Sequence, residues 1–85
     1  MITSGQLKAA RALLGIDQKE LAELSGLSVP TIQRMEGSEG VIRSNVDSLM
    51  KLLEALDRAG IILIRPGDVS DASGGRGVRL KNNGP

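Results

Sequence analysis

Gln33 and Arg34 are the side chains in this sequence with the most specific chemistry to offer. A guanidinium can bridge O6 and N7 of guanine, and a carboxamide can pair with adenine or hold a phosphate. Both lie in the run SVPTIQRMEG at residues 28–37, which opens with Ser28, Val29, Pro30 and Thr31. The Ser28 hydroxyl and the Arg43 guanidinium are candidate phosphate contacts, with Lys8 and Lys19 as weaker ones. Val29 and Pro30 can give only apolar contact, for instance to a thymine methyl. On a DNA partner, such a pair would give modest base preference, or preference that draws on DNA shape.

Composition closes off most other chemistry. The 85 residues include no Cys, His, Phe, Trp or Tyr. Zinc binding, Cys or His nucleophiles and imidazole acid–base catalysis are therefore excluded. No hydroxyl has a candidate base, and the acids are scattered as helix caps and surface pairs. No enzyme activity, catalytic residue, metal or cofactor is expected. The start of the chain lacks a basic segment followed by an apolar run, and its longest apolar run covers only residues 61–64. A membrane span needs about 20 residues, so no membrane association is expected and a cytoplasmic location is. Net charge is +1, and residues 1–44 hold five cations and five anions. Any affinity for DNA must come from gathering the cations on one face, from amides at helix N-termini, or from a second copy.

The reading side chains need a scaffold, and the pattern supplies one. Thr3 or Ser4 can cap a first helix, along which Leu7, Ala10 and Leu14 recur at helical spacing with Leu13 alongside, and Gly15 ends it. Arg11 falls on the same stripe, an odd place for a charge, and needs a partner. Asp17 with Glu20 three residues later forms a capping box for a second helix. Leu21, Leu24 and Ser25 share one face of that helix, with Ala22 beside them, before Gly26 breaks it. Ser28 caps a third helix whose first turn holds Pro30, where a missing N–H does no harm. Leu21, Ala22, Leu27, Ile32 and Met35 turn inward across residues 18–37. Two short helices about a tight turn at Ser25, Gly26 and Leu27 make a helix-turn-helix, which sets its second helix in the DNA major groove.

Residues 38–44 read as a loop, and a fourth helix begins at Asn45 or Val46. Val46, Leu49, Met50, Leu53 and Leu56 repeat along it, and Leu52, Ala55 and Ala59 widen the apolar face beyond what a surface helix of so small a domain requires. After Gly60 the run at residues 61–65 is dense in β-branched side chains and reads as a strand. A polar, glycine-rich loop follows, then a short second strand at residues 78–80 and a tail. A lone hairpin is marginal in water. These strands must therefore pack on the helices or pair with a second subunit.

Across about residues 7–56 the chain resembles the Xre/Cro family of lambda-repressor-like helix-turn-helix regulators. The carriers are LKAARALLG, QKELAELSGLS, TIQRMEG and SLMKLLEAL. The resemblance implies a partner for Arg11: an ion pair with Glu36, the acid ending the third helix. It implies that Gln18, opening the second helix, contacts phosphate, and that residues at the start of the third helix and one turn later meet base edges. Some small family members dimerise through a C-terminal strand. Residues Leu53, Leu56, Ile61, Ile62, Leu63 and Ile64 are accordingly expected to form a homodimer interface.

The expected fold is mainly α: a four-helix lambda-repressor-like domain with a helix-turn-helix, plus a C-terminal β-strand or hairpin. Residues 1–59 would form the DNA-binding domain, 60–81 a β extension that dimerises, and 82–85 a flexible tail. The expected function is sequence-specific binding of double-stranded DNA as a homodimeric regulator, in the simplest case a repressor at an inverted-repeat operator. Gln18, Ser28, Val29, Pro30, Thr31, Gln33, Arg34 and Arg43 would make the contacts. Two alternatives stand beside it: an antitoxin that binds a toxin and autoregulates its operon, and a helix-turn-helix used only for protein contacts.

Overall fold

The computed structural model describes residues 2–64 and 76–81. Four helices, α1 (Ser4–Leu14), α2 (Gln18–Ser25), α3 (Val29–Glu36) and α4 (Val46–Arg58), lead into two strands, β1 (Ile61–Ile64) and β2 (Gly77–Leu80). Short polar side chains fix each helix start. Thr3 caps α1 and exchanges bonds with Gln6, while Asp17 and Glu20 form the expected capping box on α2. Ser28 and Asn45 accept from Thr31 and Ser48 to start α3 and α4. Gly26 ends α2 at φ 73°, a left-handed value that makes the turn into α3 inexpensive only for glycine. Gly37 stops α3 for another reason. Its φ is −85°, but a Cβ there would sit 3.3 Å from the Gln33 carbonyl oxygen.

The core is wholly aliphatic: Ile2, Leu7, Ala10, Leu21, Ala22, Ile32, Met35, Ile42, Leu49, Leu52, Leu56 and Ile61. Two of these were invisible to helical periodicity. Ile2 and Ile42 lie outside any helix and are brought together by a bridge between Thr3 and Val41, with the Ile42 N–H donating to the Ile2 carbonyl at 3.0 Å. Not every member of the apolar stripes is covered: Leu13, Leu24, Val46 and Met50 are all exposed. On α4 the buried side is Leu49, Leu52, Ala55 and Leu56, a rotation that leaves the Val46–Met50 flank to solvent.

β1 and β2 pair antiparallel within the chain, Ile61 opposite Leu80 and Ile64 opposite Gly77. The hairpin rests on the helices, with β2 against α1 and β1 against α4. Leu63 and Val78 pack on the core that Ile61 joins. Gln6 clasps it: its buried amide donates to the carbonyls of Ile64 and Gly77, both at 3.0 Å, and accepts from the Thr3 N–H at 2.9 Å. At the other end Lys81 donates to the Asp57 carboxylate at 3.1 Å. Residues 65–75, which cover the end of the expected first strand and most of the expected loop at 68–77, and the tail at 82–85 lie outside the described residues. Among the described residues, no helix is long and apolar enough to cross a membrane.

Candidate nucleic-acid interface

The α2–α3 pair is locked from inside by Leu21, Ala22, Ile32 and Met35, all buried. That leaves one narrow face of α3 outward. Pro30, Gln33 and Arg34 stand three and four residues apart, hence on one side of the helix, and all are exposed. Val29 departs from expectation: it is half-buried and packed against the core, so it can offer only an edge to a ligand. Thr31 is also half-buried, and its hydroxyl lies 2.8 Å from that of Ser28. Ser28 in turn accepts from the Thr31 N–H at 3.3 Å, so its hydroxyl already has two engagements. Arg43 is exposed in the connection before α4; Lys8 and Lys19 are exposed on α1 and α2.

Beneath this face lies the ion pair. Arg11 Nε donates to Glu36 Oε2 at 2.8 Å and its Nη2 to Oε1 at 3.0 Å, a bidentate fork, while Nη1 reaches the Ile16 carbonyl at 3.3 Å. The Glu36 side chain is 6% exposed and that of Arg11 24%. Gln18 is drawn into the same cluster, donating from Nε2 to Glu36 Oε1 at 3.0 Å. Burial alone would raise the Glu36 carboxyl. The hydrogen bonds from Arg11 and Gln18 and the positive charges of Arg11 and Lys8 outweigh it and hold the group below its ordinary value. Arg11 is raised in turn, chiefly by its hydrogen bond to Glu36.

This arrangement of two crossed helices, a buried fork behind them and a polar strip in front coincides with a known pattern. The helix-turn-helix family model matches residues 7–60, the span from α1 through α4. The chain belongs to the Xre/lambda-repressor-like helix-turn-helix family. No curated protein matches it. Xre/lambda-repressor-like domains are DNA-binding regulators, generally without enzymatic activity, and α3 occupies the place of the recognition helix.

The residues expected at a dimer interface divide into two sets. Leu56 and Ile61 are 2% and 3% exposed and serve chiefly the monomer's own core, leaving little of either for a partner. Leu53, Ile62, Leu63 and Ile64 are half-buried. With the buried pair as its floor, an open groove of about 290 Å³ runs between α4 and β1, bordered by Leu53, Asp57, Ile62 and Leu63. The Lys81 N–H donates to the Gly60 carbonyl. Alternation then points Ile62 and Ile64 toward β2 and turns the backbone groups of Ile61 and Leu63 to the outer edge.

Proposed function

We propose that this regulator is a sequence-specific repressor that occupies an inverted-repeat operator as a homodimer. The observation that carries this reading is the outer strip of α3. Pro30, Gln33 and Arg34 are exposed on a helix whose opposite side is sealed by Ile32 and Met35. Arg34 reads a guanine, Gln33 reads adenine or holds a phosphate, and Gln18, Ser28 and Arg43 grip the backbone on either side, with Val29, Pro30 and Thr31 lining the approach. The strip is narrow and the net charge only +1, so one copy has little to bind with. A second copy would place two recognition helices about 34 Å apart on one face of the duplex. Among the described residues, the α4–β1 groove and the outer edge of β1, which pairs with no further strand, support such a contact.

Selection of bound duplexes from a random pool tests this reading. A symmetric motif with half-sites about one helical turn apart, and affinity that falls steeply with salt, is the expected result. Salt-independent or undetectable binding overturns it.

The same groove favours one alternative. Exposed Met50 and Val46 continue its apolar surface along α4. An antitoxin would use that surface for a toxin while still binding DNA through α3. Co-purification of one defined partner protein that competes with self-association would select that reading.

A further inference from the structure

Glu36 is buried, yet its carboxylate serves two clients on two different elements. Arg11 of α1 takes both oxygens, and Gln18, the first residue of α2, takes Oε1. A lone structural pair would be complete with Arg11. We infer that Glu36 is a positioning residue for DNA binding: anchored by Arg11, it holds the Gln18 carboxamide in the orientation in which it grips a phosphate. The inference rests on the DNA-binding reading above and adds to it a named residue that never touches DNA.

The argument is geometric. Gln18 opens α2, where the first-turn amides have no intrahelical acceptor; the Asp17 side chain satisfies that of Glu20, leaving those of Gln18 and Lys19 outward. A glutamine there is half-exposed and would otherwise sample many rotamers. Binding a phosphate would then cost the entropy of choosing one. The 3.0 Å bond to Glu36 spends one Nε2 hydrogen and leaves the other for an anion beside the α2 N-terminus. Glu36 is also the last residue of α3. The same carboxylate therefore ties the end of the recognition helix to the start of the helix that meets the backbone, so base-reading and phosphate-gripping groups move as one body.

A double-mutant cycle reads this coupling. Removing Glu36 alone strands Arg11 and endangers the fold, so the tether is removed as a pair, Arg11→Met with Glu36→Met. That change leaves net charge at its natural value, and apolar replacement of a buried ion pair is often neutral for stability. The probe is the fluorescein-labelled duplex enriched by the random-pool selection, with circular dichroism and melting confirming that every variant is folded at the assay temperature. In the natural background Gln18→Ala should weaken binding about tenfold, as expected for one hydrogen bond to a charged group. In the Arg11→Met/Glu36→Met background the same substitution should cost less than about threefold, with the salt slope unchanged throughout because no phosphate-facing cation has been lost.

Equal losses in the two backgrounds would show that Gln18 needs no tether, and overturn the proposal. No loss from Gln18→Ala in a chain that binds its duplex normally would overturn it as well. A natural chain that binds no duplex at all fails the functional reading itself, a result told apart by the parent protein alone.

Discussion

Arg34 and Arg11 carry the same guanidinium and do opposite work, because one is left in solvent and the other is placed under α3. Arg34→Ala should weaken binding to the selected duplex by about 1–3 kcal/mol and relax the preference at one base pair, checked by titration against single-base variants. Equal loss on selected and random DNA would make Arg34 a phosphate contact instead. Arg11→Ala should leave the reading strip chemically intact but uncover a buried carboxylate. A loss of roughly 3 kcal/mol is expected, the low end for breaking a buried pair because Arg11 keeps some solvent contact. The pair also sets an acid limit. The folded Glu36 pKa is lowered, so its contribution is fully present above the unfolded carboxyl value of about 4.3 and is lost as pH falls through the folded value. Denaturation midpoints followed from pH 6 downward should decline below about pH 4 more steeply for the natural chain than for the Arg11→Met/Glu36→Met variant.

Among the elements, the hairpin depends most on one side chain. Gln6→Ala removes two donors from the Ile64 and Gly77 carbonyls and half of the α1 capping box. About 1–3 kcal/mol should be lost, with exchange of the β1 and β2 amides accelerating before that of α2 and α3. Gln6 also marks where reading the sequence ran out. The caps were legible because Asp17, Glu20, Ser28 and Asn45 act on neighbours within three residues. The Arg11–Glu36 pair was legible only through family resemblance, since a charge on an apolar stripe demands a partner without naming it. Gln6 bonds residues 58 and 71 positions away, which no local pattern encodes. That Leu24, Val46 and Met50 would be the exposed members of their stripes was not legible, because an aliphatic stripe wider than the available core does not say which edge stays wet.

At the scale of the whole molecule, the distribution of apolar surface points outward from the monomer. β1 is a short run of Ile61, Ile62, Leu63 and Ile64 with no charge or proline to protect its outer edge, and such an edge invites another strand. Ile62 borders the groove without belonging to the core. The natural chain should scatter light as a dimer at micromolar concentration and Ile62→Lys as a monomer, with helical content preserved. Its affinity for an inverted repeat should fall at least tenfold, since the two half-sites no longer bind together. A natural chain that scatters as a monomer would count against the dimer, and an unaltered dimer in the variant would place the interface elsewhere.

The Gln6 clasp has a bearing on kinetics as well. Helices α2 and α3 make contacts of short sequence separation and can organise early, whereas the clasp must wait until chain segments 58 and 71 residues distant have arrived. An interaction made after the rate-limiting step governs how fast the molecule comes apart rather than how fast it assembles. In a stopped-flow chevron, Gln6→Ala should accordingly steepen nothing on the refolding arm and lift the unfolding arm. The carboxamide that joins the first helix to the hairpin is then a brake on opening, and the lifetime of the folded regulator is set far from the helix that reads DNA.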